Sequence, residues 1–353
     1  MHYNNLLKWG LSQDILDQYQ VMAAEGNQLG RVTEVQKGRL RVATDTAVFW
    51  CNVSGRYRYA NLEMPAVGDW VTVYAPLNEE SGSIITGLLP RKTKFSRKIA
   101  GTTSEEQIIA ANVDHIFICM ALNGDFNIRR LERYMSVAWD SGAMPTIILT
   151  KADLCADPVD YTSQVSDLFI GVAIHTICGF NDSDIQAIKA LIAPGKTVVF
   201  TGSSGVGKST LINGLIGEVA QATQSVGDGD KGRHTTTSRK LLQLDNGGIL
   251  VDTPGMREFG LLGDEEEGIA KSFEDIHALA AQCHYGNCTH GNEKGCRIRE
   301  ALEEGTLDSE RYESFLKLQR ESEYMARKQD AHSQKKYLRH VAKQNRSSRK
   351  IKY

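Results

Sequence analysis

One short stretch, "TGSSGVGKST" from Thr201 to Thr210, constrains this chain more than any other. Gly202, Gly207, Lys208 and Ser209 fit G-x-x-x-x-G-K-[ST], with Ser203, Ser204, Gly205 and Val206 as the variable positions. An apolar run, "TVVF", precedes it, and "STLINGLIG" after it reads as a helix. A strand, a glycine turn and a helix in that order make a phosphate cradle. The glycines let backbone N–H groups turn inward, Lys208 reaches the β- and γ-phosphates, and Ser209 offers a hydroxyl to Mg²⁺. The positive end of the helix that Ser209 and Thr210 begin adds to the field.

Two further motifs turn the cradle into a nucleotide site. "VDTPG", Val251 to Gly255, follows a predicted strand about fifty residues on. There Asp252 can hold Mg²⁺ through water, and the Gly255 N–H can sense the γ-phosphate. "LTKADL" supplies Thr150, Lys151, Ala152 and Asp153 at the end of the run "TIIL". A carboxylate at Asp153 accepts from guanine N1–H and N2–H₂, a donor pair that adenine lacks, and the Lys151 stem lies along the ring. The order is unusual, because ordinary GTPases place the base-reading motif after the phosphate loop. Here it comes first, so the domain is circularly permuted.

The flanking regions differ in texture. Residues 1–29 read as a helical lead-in, "LSQDILDQYQVMAA", with Ser12 as its expected cap. Over 30–100, short alternating runs broken by turns predict a small antiparallel, OB-like β-barrel. "GRVTEVQKGRLRVATDTAVFWCNV" reads there as strand, Lys37-Gly38 turn, strand. "SGRYRYAN", Ser54 to Asn61, interleaves cations with rings and reads either as cross-strand packing or as an RNA-facing barrel surface. Over 104–264, apolar strands alternate with helices, which predicts a parallel sheet covered on both faces.

After that, over 265–330, the chain turns helical and charged around "CHYGNCTHGNEKGC". Cys283, Cys288, His290 and Cys296 are spaced C-x₄-C-x-H-x₅-C, a closed ligand set for one structural Zn²⁺, with His284 as a competing imidazole. The segment's low apolar content predicts a knuckle folded around the ion. The last residues, 331–353, belong to a basic run: "RKQDAHSQKKYLRHVAKQNRSSRKIKY" holds ten Lys/Arg against one Asp. It reads as a solvated arm or as a contact for nucleic-acid phosphates. The other four cysteines are scattered singly, which argues for reduced thiols in the cytoplasm rather than a disulfide framework. No apolar run approaches the ~20 residues that span a bilayer, so no membrane association is expected.

The permuted order, the barrel before it and the cysteine cluster after it together resemble the bacterial small-subunit-dependent GTPase family RsgA, also called YjeQ. "NVDHIFICMAL", "LTKADL", "TGSSGVGKSTLING", "GRHTTTSR" and "DTPGMREFG" carry the resemblance. It implies GTP hydrolysis with Mg²⁺, binding to the 30S ribosomal subunit and its 16S rRNA rather than to DNA, and a role in late subunit maturation by a monomer. It places the first switch at "KGRHTTTSR", where Thr235 or Thr236 contacts Mg²⁺ and the γ-phosphate. "TICG", Thr176 to Gly179, falls where a second base-contacting loop lies, as a loose match. Many GTPases place a water-orienting Gln after D-x-x-G. Met256 stands there instead, which makes His234 a candidate for positioning water and predicts slow turnover until a partner orders the switch. Met256 also leaves open a second reading, a non-enzymatic RNA-binding or scaffold protein with a structural guanine nucleotide.

Overall fold

The structure, a computed structural model, describes residues 3–36, 38–60, 63–75, 82–98, 106–179, 181–217, 239–252 and 266–323. The chain divides into two compact units. One holds the barrel and the nucleotide-type sheet, and the other holds the helices around the cysteine cluster.

Five strands build the barrel: β1 (Asn27–Gln36), β2 (Arg39–Thr44), β3 (Val48–Val53), β4 (Trp70–Tyr74) and β5 (Ser83–Leu88). They pair in the order β1-β2-β3-β5-β4, and β4 closes back on β1. The β3–β5 pair is parallel and the rest are antiparallel. This is the OB arrangement. Alternation drives it: Leu40 and Val42 of β2 and Cys51 and Val53 of β3 point inward, with Val32, Val71, Val73 and Ile85 opposite them.

The second run of the expected strand–turn–strand is itself split. Asp45 and Thr46 turn the chain, held by the Thr44 Oγ1, which accepts from the Ala47 N–H at 3.2 Å. "GRYRYA" is a helix, Gly55–Ala60, and not a strand. Its Tyr57 fills the barrel core while Tyr59 stays exposed. Ser12 does stand at the N-cap of helix Gln13–Met22, but its side chain makes no capping bond.

A ribbon, β6 (Lys94–Lys98) with β7 (Glu106–Ala111), follows the barrel in sequence. The nucleotide-type sheet then comprises β8 (His115–Ala121), β9 (Met144–Thr150), β10 (Ala173–Thr176), β11 (Thr197–Gly202), β12 (Arg239–Gln243) and β13 (Ile249–Asp252). Its spatial order is β10-β9-β8-β11-β13-β12, parallel except for β12. The chain runs outward from β8 to β10, then returns to lay β11 on the other side of β8. That reversal makes a crevice at the carboxyl ends of β8 and β11, where α/β sheets bind ligands. Between the strands run α4 (Ile128–Asp140), α5 (Pro158–Leu168), α6 (Asp182–Ala190) and α7 (Lys208–Ile216).

Barrel and sheet are continuous, because β1 also pairs with β12 through Glu34↔Lys240 and Val35↔Arg239. Beside that seam Arg31 is 2% exposed. Its guanidinium donates to the Gly68 carbonyl (3.2 Å), the Asn112 carbonyl (3.2 Å), the Thr197 Oγ1 (2.9 Å) and the Trp9 carbonyl. Burial pulls its pKa down to about 10, against the opposing charges of Asp114 and Asp69, so it remains a cation at neutral pH. A cavity of about 1010 Å³ opens next to it, at the amino ends of the parallel strands and so at the far end from the nucleotide motifs.

Arg31→Met should leave four acceptors without their donor and destabilise this unit by about 3 kcal/mol. Arg31→Lys should recover little of that, because one ammonium cannot span the four. Denaturant unfolding checks both, and a loss below about 1 kcal/mol for Arg31→Met would show the network to be dispensable.

Candidate active site and metal centre

The loop after β11 takes its shape from backbone that only glycine accepts easily. Gly202 has φ +138°, and a Cβ there would lie 2.2 Å from the Cys119 carbonyl oxygen of the neighbouring strand β8. Gly205 (φ +79°) and Gly207 (φ +95°) complete the turn into α7. Lys208 is buried, and its Nζ donates to the Gly202 and Ser203 carbonyls at 2.6 and 2.5 Å. The ammonium is therefore held on the loop it belongs to. Ser204, Gly205, Ser209 and Thr210 are exposed, while Val206 is buried beneath the loop.

Thr150 ends β9 and is fully buried. Its Oγ1 donates to the Val206 carbonyl at 2.7 Å, across 56 residues of sequence. This one bond ties the T-K-x-D turn to the phosphate loop. Lys151 then takes a left-handed conformation (φ +58°) and opens a single 3₁₀ turn, Ala152–Leu154. The Ala152 N–H donates to the Ile177 carbonyl (3.2 Å), and the Asp153 Oδ1 accepts from the Gly179 N–H (3.2 Å). The Thr176–Gly179 loop, a loose match in sequence, thus lies against the T-K-x-D turn. A planar donor pair presented at this point would meet the Asp153 carboxylate.

Asp252 stands at the end of β13, one strand over from the phosphate loop. Burial pushes its carboxyl above the ordinary range, and Lys240, 3.9 Å away, opposes the shift. The structure therefore brings Thr150, Lys151, Ala152, Asp153, Gly202 through Thr210 and Asp252 to one edge of one sheet. His234, Thr235, Thr236, Gly255 and Met256 lie outside the described residues, as does the basic tail. A contact that sequence reasoning did not anticipate is Arg130 of α4, whose Nη1 donates to the Ser203 Oγ at 2.8 Å. An arginine in an amphipathic helix gives no signal of such a role.

In the other unit, Cys283, Cys288, His290 and Cys296 converge, with all four ligand atoms within 4.8 Å of one another. The Cys283 and Cys296 sulfurs lie 3.6 and 3.5 Å from the His290 Nδ1. A tetrahedral Zn²⁺ with sulfur at about 2.3 Å and nitrogen at about 2.0 Å would space those atoms by about 3.5 Å. The donor set fits a closed metal site. His284 is not in the group; its ring stands edge-on to Tyr285 at 4.7 Å, and its backbone N–H donates to the Gly295 carbonyl. Gly295 suits its place, since its φ of +72° disfavours side chains and an added Cβ would lie a tight 3.0 Å from the His284 Cβ.

The knuckle is not built on the ion alone, contrary to the expectation from composition. Ile269, Phe273, Ile276, Ile298, Leu307, Phe315 and Leu318 form a core that includes Cys296. Arg311, 4% exposed, stacks over Phe273 and is paired with Asp275 at 2.7 Å. Helices Glu266–Ser272, Glu274–Ala280 and Arg297–Glu304, with a further helix over 309–323, supply this core. Two of them carry apolar positions too sparse to stand out in a charged sequence.

Among the described residues no helix is long and apolar enough to cross a membrane. A family model described as RsgA GTPase matches residues 88–262. The small ribosomal subunit biogenesis GTPase RsgA 2 of Lactiplantibacillus plantarum is 43% identical over 325 residues, 91% of this chain and 90% of the relative. The RsgA protein of Streptomyces coelicolor is 38% identical over 94% of this chain and 90% of its own length. Among solved structures, YjeQ from Thermotoga maritima superposes with a TM-score of 0.60 at 26% identity, over 83% of this chain and 97% of that one. YloQ, described as a circularly permuted GTPase, gives a TM-score of 0.59 at 24% identity, over 87% and 96% of the two chains, and supports the fold. The site, the permuted order and these similarities agree: the chain belongs to the RsgA family of circularly permuted GTPases, GTP-hydrolysing enzymes of ribosome biogenesis.

Proposed function

We propose that this GTPase binds the 30S subunit through its 16S rRNA and assists the late maturation of that subunit, hydrolysing GTP to GDP and phosphate when the subunit orders its switch. The observation that supports the reading is the Thr150–Val206 bond, a direct contact between the turn read as guanine-binding and the phosphate loop. Asp153 accepts from the base, and the Gly202–Thr210 cradle holds the phosphates. Lys208, now resting on two carbonyls, turns to the β- and γ-oxygens. The Ser209 hydroxyl and Asp252 hold Mg²⁺, which neutralises charge on the phosphates when bound. Thr235 or Thr236 and the Gly255 N–H sense the γ-phosphate, and His234 positions water. The family membership and the small-subunit biogenesis names of the relatives support the partner.

Contact with rRNA falls to the barrel, the zinc module and the basic tail, and the protein works as a cytoplasmic monomer. The metal of the Cys₃His site is one structural Zn²⁺. It closes the Cys283–Cys296 loop onto a core that packs by itself, so its loss should loosen the loop more than it unfolds the helices.

Two experiments test the reading. GTP hydrolysis titrated with 30S, 50S and 70S particles should rise by about tenfold or more with 30S alone; equal stimulation by all three, or none, refutes the partner. Asp153→Asn should lose GTP affinity by about a hundredfold and gain xanthosine triphosphate. Unchanged GTP binding would remove Asp153 from base recognition.

For the metal, elemental analysis should give one zinc per chain. A chelator should lower the melting temperature of the C-terminal unit while most of its helical circular dichroism at 20 °C or so persists, since the apolar core stays buried. Complete loss of helix on chelation would return the ion to the role of sole organiser.

A further inference from the structure

The phosphate loop carries a second cation that its motif does not require. Arg130 lies in the first turn of α4, and its Nη1 donates to the Ser203 Oγ at 2.8 Å and to the Asp125 Oδ1 at 2.9 Å. The Ser203 carbonyl also accepts from the Lys208 Nζ at 2.5 Å. One loop residue therefore joins two cations, one through its side chain and one through its backbone.

By itself this placement is unfavourable. The first turn of a helix is its positive end, where a carboxylate is stabilised and a cation is opposed. The first turn of α4 contains no acid and contains both Arg129 and Arg130. Asn127 begins the helix in the ordinary way, its Oδ1 accepting from the Arg130 N–H at 2.8 Å. Arg129 is committed to the buried Glu132 at 2.7 Å. Arg130 has Asp125, but the two side chains are 36% and 44% exposed, and such solvent-screened pairs contribute little. The positive end of α7 starts from the same loop. Lys208 and Arg130 thus both bond Ser203, in the loop from which α7 starts, and Asp125 accepts from the same guanidinium. That field favours an anion at the loop.

We infer that Arg130 is a positioning residue for the triphosphate. It fixes the Ser203 side of the phosphate loop and adds its charge to the field on the phosphates, acting through the loop and not on the reacting atoms. Asp125 holds the guanidinium against the loop. The inference rests on the GTP reading but goes beyond it, because nothing in G-x-x-x-x-G-K-S requires an arginine from α4.

The test compares GTP, GDP and guanosine binding by wild type, Arg130→Met and Arg130→Lys. Arg130→Met should weaken GTP by about tenfold, GDP by less and guanosine not at all. Its GTP affinity should also fall less steeply with added salt, as one fewer cation faces the phosphates. Arg130→Lys, which keeps the charge, should recover the salt dependence and part of the affinity. In turnover the change should appear in KM, with kcat held within about twofold. An equal loss for guanosine and GTP would mean that Arg130 only supports the fold, and unchanged GTP affinity in Arg130→Met would remove it from the site. Either result overturns the inference while leaving the GTP reading intact. A wild type that binds none of the three ligands would overturn both.

Discussion

A single hydroxyl holds the site together. The Thr150 Oγ1–Val206 bond joins two loops that the chain visits 56 residues apart, at a point from which water is excluded. An unmet carbonyl at Val206 would cost more than the bond contributes, because a polar group stripped of water and left without a partner loses more than a formed hydrogen bond gains. Threonine suits the place for a geometric reason. A β-branched residue is comfortable at the end of a strand, and its short hydroxyl needs no long side chain to be ordered. The T-K-x-D turn is then located by the strand itself, and Asp153 follows three residues later on a single 3₁₀ turn.

The permutation costs this sheet nothing because hydrogen-bonded neighbours, not chain order, define it. β8, β11 and β13 lie side by side whether the chain enters at β8 or at β11. What permutation changes is what lies beyond the ends. The antiparallel β12 would be an open edge, with unpaired backbone groups that invite association. Here β1 of the barrel covers part of it. The barrel is thus not a bead on a linker but a continuation of the same ladder.

The sequence was legible where backbone chemistry is local. The glycines at 202, 205 and 207 announce a turn that other residues resist, and C-x₄-C-x-H-x₅-C announces a ligand set. It was less legible where tertiary context decides. "GRYRYA" has the alternation of a strand, yet it folds as a helix that drops Tyr57 into the barrel. Helix α5 carries a recognisable start signal, with Asp157 as its cap and Pro158 as its first residue, but its weakly amphipathic pattern does not announce the rest. The partners of Arg31 lie up to 166 residues away, so no local pattern could single it out. Arg130 read as one more polar residue on a helix face, and its place by Ser203 exists only once β8 and β11 are neighbours.

Strand β11 shows what this arrangement does mechanically. Its last residue, Gly202, opens the phosphate loop, and its first, Thr197, is gripped by Arg31 from the barrel and by the Asp114 carboxylate, which accepts from the Thr197 N–H at 2.8 Å. Five intervening peptide units in an extended, fully buried strand transmit displacement with little slack, since close-packed interiors deform poorly. Among the described residues, barrel and sheet are joined by the β1–β12 pairing, by the buried Arg31 guanidinium and by side-chain bonds such as that from the Asn112 Nδ2 to the Gly68 carbonyl at 3.1 Å.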